Sequence, residues 1–248
     1  MKQQSFLKGA AVISVGGIVA KILGALYRVP LTNLLGGEGM GLYQMVFPLY
    51  CLLLTVSATG IPSGLARLVS RAEARGENSR AILRRSLLLF SAIGLAGCAA
   101  MFLLARPMSA AQGEAAVAAA YRMLAPSVLL VSVLSCFRGW FQGRNNFVPT
   151  AVSEIAEQLV KIAFGLFFAY THRENIVRAV EYSLLAVTIS ELAACLCMFA
   201  LLPHARRPLY PERGSENAAS LLRATLPVAL AAGVLPLSNI LDSILIVR

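Results

Sequence analysis

The sequence predicts an all-α polytopic membrane protein, and three observations predict it. Hydrophobic residues make up 58% of the 248 and charged ones only 14%, against about 45–50% and about 25% in an average soluble domain. Seven apolar runs, roughly 9–28, 43–65, 86–105, 119–137, 148–170, 180–202 and 224–247, approach the roughly 20 residues that a helix needs to cross a hydrocarbon core about 30 Å thick. The third observation is an asymmetry of charge. With the N-terminus placed in the cytoplasm, 14 of the 22 Lys and Arg fall on that side and 5 on the other, with Lys21, Lys161 and Arg248 left out as lying within or ending a span. That is the bias of inner loops toward positive charge. A soluble helical bundle would show polar stripes along its helices, and most of these runs show none.

The first run carries two cations, Lys21 and Arg28. A charge at membrane depth costs several kcal/mol unless it faces protein or a water-filled cavity. Seven residues is two helical turns, so the pair shares a face, about 10 Å apart. Two bases turned toward a bundle interior suggest a cavity built for an anion. Lys2 and Lys8 ahead of an apolar stretch resemble a signal peptide, but the two internal cations and the lack of a small-residue cleavage site favour an uncleaved first span. Pro48 and Pro62 punctuate the second span, Pro126 the fourth, and Pro227 and Pro236 the seventh. Proline removes a backbone donor and bends a helix. Bendable spans suit a protein that opens alternately to two sides, although Gly and Pro are also simply commoner in membrane helices.

The polar loop from Arg67 to Arg85 is expected to extend the second and third helices into the cytoplasm. The stretch Phe137-Arg138-Gly139-Trp140-Phe141-Gln142-Gly143-Arg144 reads as an amphipathic turn at the inner interface, with Trp140 at headgroup level between two arginines. The fifth span carries Glu154, Glu157, Gln158 and Lys161, with the two acids and the lysine on one face. They form either a solvated surface patch or the inner mouth of a central cavity. Glu191, in the middle of the sixth span, is a paired structural acid or a proton or cation site. Arg122 is expected to snorkel toward the outer surface. Asp242, three residues after Asn239, is the acid of the seventh run. The predicted organisation is a six-span transmembrane lobe over residues 1–202, a cytoplasmic linker over 203–220, and the first helix of an incomplete second lobe over 221–248. A run that ends one residue before the chain does makes the sequence look like part of something longer.

The net charge of +10 is topological, without the aromatic interleaving of a nucleic-acid surface. Cys51, Cys98, Cys136, Cys195 and Cys197 all lie in apolar runs and read as core thiols, with neither a disulfide framework nor a zinc site. There is no Ser/His/Asp set, no phosphate-binding Gly loop and no metal motif. The expectation is a protein that is not an enzyme and uses no cofactor or metal.

Three segments, AKILGALYRVPLTNLLGGEGMGLYQMVFPLYCL from Ala20, TGIPSGLARLVS from Thr59 and CFRGWFQGRNNFVPTAVSEIAEQ from Cys136, resemble the polysaccharide-transport branch of the multidrug/oligosaccharidyl-lipid/polysaccharide (MOP) exporter superfamily. They look most similar to the stage V sporulation protein B-like flippases. The resemblance implies a MOP/MATE-like fold of two six-helix lobes, of which this chain is the first plus a seventh helix. It implies a multi-pass protein of the bacterial cytoplasmic membrane. By alternating access, such a protein moves an anionic lipid-linked oligosaccharide or cell-wall precursor, with membrane lipids around it and a proton or sodium as coupling ion. Lys21, Arg28 and Lys161 would then meet the substrate, and Glu154, Glu157, Glu191 and Asp242 would serve ion coupling or structure. The similar lipid II flippase branch carries an arginine pair midway along its second span, where this chain reads Leu52-Leu53-Leu54, so the resemblance supports a lipid-linked saccharide without naming it. Two rivals stand beside this reading. A MATE-like cation-coupled multidrug exporter generally places an acid in the first span, where this chain has two bases. A non-transporting scaffold in wall synthesis or sporulation would need no buried charge.

Overall fold

The computed structural model describes residues 2–202 and 219–225. The seventh run with Asp242, and nearly all of the expected linker, lie outside the described residues. Helix α1 (Lys2–Leu54) is two arms joined at Gly36, whose φ of 66° and ψ of −174° break the helix. That backbone region is open essentially to glycine alone, so the Gly36-Gly37 step sets the angle between the arms. A π-helical turn, Thr55–Thr59, follows, and α2 (Ile61–Ala74) starts with Pro62 in its first turn, where a missing N–H is tolerated. The predicted span at 43–65 therefore straddles the second arm of α1, the π turn and the start of α2.

Helices α3 (Arg80–Ala111), α4 (Ala118–Gly143), α5 (Val148–Thr171) and α6 (Ile176–Leu201) complete the lobe. Asn78 Oδ1 accepts from the Arg80 backbone N–H at 3.0 Å and Asn175 Oδ1 from that of Arg178 at 3.1 Å, satisfying donors that helix starts leave free. The extension of the second and third helices past the apolar runs is as expected, with only residues 75–79 between them. Among the described residues, four helical stretches are long and apolar enough to cross a membrane: 11–74, 80–111, 115–143 and 176–201. The first holds two of the predicted spans. Helix α5 falls outside that count because Glu154, Glu157 and Lys161 lie within it.

Helices approach closely here through small residues, as they do in membranes, where burial of apolar surface does not drive helix association. Gly139 and Gly143 of α4 form a notch for α2. A Cβ at Gly143 would lie 2.6 Å from Val69 Cβ and 2.7 Å from the Ala66 carbonyl oxygen, and one at Gly139 would lie 2.9 Å from Pro62 Cα. Overpacking a close contact costs about 1–3 kcal/mol. Gly143→Leu is therefore expected to lower the thermal unfolding midpoint of detergent-solubilised protein and to reduce monodisperse yield. An unchanged midpoint would show that α2 is not seated in this notch.

The same notch corrects the expectation for Trp140. It is not an exposed interfacial side chain; its relative exposure is 0%. With glycines on either side of it in α4, the backbones come close enough to enclose the indole. Its Nε1 donates to Ser79 Oγ at 3.1 Å, and Ser79 Oγ donates to Glu73 Oε1 at 2.6 Å. Arg144 pairs with the same Glu73 oxygen at 3.2 Å while its guanidinium sits 4.6 Å from the Trp140 ring centroid. Trp140 thus locks the 75–79 turn against the end of α4. Trp140→Phe is expected to cost about 1 kcal/mol, the net worth of one hydrogen bond, and Trp140→Ala about 3–5 kcal/mol, read as a graded fall in thermal stability. Arg122 is part-exposed, with its guanidinium 5.3 Å from the ring centroid of the exposed Phe102.

Candidate functional site: a cation-bearing cleft between the arms of the first helix

The two arms of α1 enclose, with α5 and α6, a cavity of about 700 Å³. The first arm contributes Gly24, Tyr27, Arg28 and Leu31, and the second arm Met40, Tyr43, Gln44, Phe47, Pro48, Tyr50 and Cys51. Lys161 enters from α5, and Val187 and Glu191 from α6. The second arm presents its aromatic side by helical spacing: Tyr43 and Tyr50 are two turns apart, and Phe47 lies between them with ring centroids at 5.0 and 5.9 Å. Three residues before Pro48, the Met45 carbonyl accepts from Gln112 Nε2 at 3.0 Å and from the Tyr121 hydroxyl at 2.8 Å. Those two donors pin the second arm to the α3–α4 end of the lobe just before Pro48.

The first arm packs on α5 through small residues, with Gly16 against Ala151 and Gly24 facing Gln158. Its exposed apolar stripe, Val12, Val15, Ile18, Val19, Ile22, Leu26 and Val29, is the side suited to lipid. At about 100° per residue, Arg28 projects roughly 140° from the middle of that stripe and Lys21 roughly 120°. Arg28 lines the cleft. Lys21 is exposed on the same flank two turns earlier and is not part of the lining.

The predicted acid–base face of α5 divides. Lys161 lines the cleft. Glu157 turns to α4 and pairs with Arg138 at 3.0 Å, both side chains largely buried, at 14% and 17% exposure. Arg138 Nε also donates to Ser153 Oγ at 3.2 Å. The solvated-patch alternative is therefore replaced by an interior pair, and Arg138 is a cation inside the lobe rather than in an inner loop. Glu154 is half-buried, within electrostatic reach of Arg138 and Glu157. Glu191 is 7% exposed, and its Oε2 has no hydrogen-bond partner among the described residues. Its nearest charged company is Glu157, Arg138 and Lys161. Neither Arg28 nor Lys161 forms an ion pair among the described residues. The cleft thus sets two unpaired cations against one unpartnered acid, on walls of tyrosine and phenylalanine.

Sequence reasoning did not single out Tyr27, Tyr43, Tyr50 or the interior role of Arg138. The seven-residue spacing of Tyr43 and Tyr50 was the available signal for the former. The partners of Arg138 are 15 and 19 residues away on another helix, which no local pattern reveals.

The chain matches the family described as polysaccharide biosynthesis protein over residues 6–248. It is 33% identical to stage V sporulation protein B of Bacillus subtilis over 208 residues, covering 80% of this chain and 39% of that protein. It is 28% identical to lipid II flippase MurJ of Bacillus subtilis over 209 residues, 78% of this chain and 38% of that protein. The chain therefore spans about two fifths of the length of these curated relatives. A MATE solved in the straight conformation superposes with a TM-score of 0.76 at 17% identity, over 92% of this chain and 52% of that one. A MOP superfamily transporter from Pyrococcus furiosus, whose structure is described by the reverse polarity of its binding pocket, gives 0.69 at 19% identity, over 91% and 52%. At such identities the likeness establishes the fold, and it is the MOP/MATE-like helical lobe expected from the sequence. This multi-pass membrane chain belongs to the polysaccharide biosynthesis protein family.

Proposed function

We propose that the chain is the anion-recognising lobe of a flippase that moves a lipid-linked oligosaccharide or cell-wall precursor across the cytoplasmic membrane by alternating access. The observation that carries this reading is the cleft itself: Arg28 and Lys161 line it without an ion-pair partner among the described residues, and they outnumber its one acid, Glu191. Unpaired cations inside a membrane protein need an anion or water, and a phosphate or diphosphate offers charge-assisted bonds to both. The aromatic walls suit the faces of sugar rings, and the acyl tail would stay in lipid. Lys21 adds positive potential along the same flank of α1. The family match and the relative named as a lipid II flippase support the same substrate class. Orientation with the N-terminus in the cytoplasm follows the charge bias, and residues 221–248 would open a second lobe beyond the 203–220 linker.

Glu191 supports ion coupling within this reading. An unpartnered buried carboxylate in the cleft is suited to a proton or sodium, with Glu154 and Glu157 behind it. The cation-coupled drug exporter is disfavoured by the two bases of the first arm, and a scaffold by a cleft with unpaired charge. The test is a headgroup-translocation assay in vesicles, with a fluorescent lipid diphosphate and a zwitterionic lipid as probes. Translocation of the diphosphate alone is expected. Equal movement of both probes, or of neither, would overturn the reading.

A further inference from the structure

At the end of the lobe that holds the α2–α3 turn, a second cavity of about 310 Å³ is lined by Arg80, Leu83, Arg84 and Leu87 of α3 and by Leu202 after α6. The four α3 residues are spaced i, i+3, i+4 and i+7, so they form one stripe of the helix. Both arginines are exposed, and neither pairs with a carboxylate among the described residues. On the Arg84 flank of that stripe, α3 exposes Leu88, Leu95 and Phe102, each two turns from the last, which gives an apolar track running along the helix away from Arg84. Two cations at the mouth of a leucine-lined groove, with apolar surface leading away into the membrane, match a molecule with an anionic head and a hydrocarbon tail.

We infer that this groove is a binding site for an anionic phospholipid, with Arg80 and Arg84 on its phosphate and Leu83, Leu87 and Leu202 against the start of an acyl chain. The charge argues for an anionic rather than a zwitterionic lipid, because basic pockets beside membrane helices select acidic headgroups. The site is separate from the cleft between the arms of α1. It shares no residue with that cleft and does not depend on the transport reading.

The test uses the full chain purified in detergent, with phosphatidylglycerol, phosphatidylcholine or soluble glycerol phosphate added. Retained lipid is counted by native mass spectrometry, and the unfolding midpoint is followed by heating. Phosphatidylglycerol is expected to remain bound one to one and to raise the midpoint, with the other two doing neither. R80Q/R84Q is expected to cut retained phosphatidylglycerol at least about tenfold, a loss of about 1.4 kcal/mol, while R84K, which keeps the charge, retains it even if the double variant folds poorly. Equal retention of phosphatidylcholine would overturn the proposal, as would protection by glycerol phosphate. So would a double variant that unfolds earlier yet holds phosphatidylglycerol as before, which would mean that the arginines serve a contact with the segment after Leu202.

Discussion

Arg28→Ala is expected to abolish transport while leaving insertion and folding intact. Arg28 sits on the cleft side of α1, has no ion-pair partner among the described residues and packs no core. Its removal therefore leaves no orphaned charge behind. What is lost under the proposed reading is a charge-assisted bond to an anion, worth about 1.5–3 kcal/mol, or roughly 10–100-fold in headgroup affinity. Lys161→Ala is expected to fall in the same range, from the neighbouring helix α5. The double variant should lose more than either alone, because both cations line the one cavity. Lys21→Ala is expected to retain more activity than either, since Lys21 lies off the lining. The measurement is complementation of a strain lacking the protein, with membrane abundance checked by immunoblot, followed by binding of a soluble diphosphate headgroup to purified protein. Full complementation by Arg28→Ala at normal abundance would sink the anion-cleft reading.

Much of this lobe was legible in the sequence, and the reason is the solvent. Inside a bilayer the apolar runs must be helices, because each backbone group has to find its partner within the segment, so hydropathy located the long helices of the described residues, and α5, which carries three charges, meets the length but not the charge limit of a span. The shared face of Lys21 and Arg28 followed from a seven-residue spacing. What spacing cannot show is which neighbour a face meets. It put Glu157 and Lys161 on one face of α5, yet Glu157 turns to Arg138 of α4 and Lys161 to the cleft. The burial of Trp140 was missed for a related reason. A tryptophan between arginines near a span end is the pattern of an interfacial anchor, and the pattern is silent about a glycine notch that draws another helix over the ring. The break at Gly36 was likewise hidden. No apolar run covers it, and the helix resumes at once after the break.

Breaking the Arg138–Glu157 pair is expected to cost the lobe a large share of its stability. The two side chains join α4 to α5 at 3.0 Å, and both are largely shielded from water. Removing one partner of a buried pair strands the other charge and costs about 3–5 kcal/mol. Some exposure remains on both sides, which places the expected loss for Arg138→Ala or Glu157→Ala near the lower figure. The two variants should differ in kind. Without Arg138, three acids, Glu154, Glu157 and Glu191, are left with Lys161 as their nearest cation, and the repulsion reaches the cleft. Without Glu157, Arg138 keeps Ser153 and has Glu191 within electrostatic reach, so part of the imbalance is absorbed where the cleft holds its own acid. Glu157→Ala is therefore expected to be the less damaging to folding and the more damaging to ion coupling, since Glu191 is then drawn toward Arg138. The double variant Arg138→Met/Glu157→Leu, which removes both charges and keeps volume, should recover most of the lost stability. A double-mutant cycle on thermal unfolding midpoints isolates the coupling between the two residues. If the single losses simply add in the double variant, the pair contributes nothing beyond its separate side chains, and the rigid wall behind the cleft must have another source.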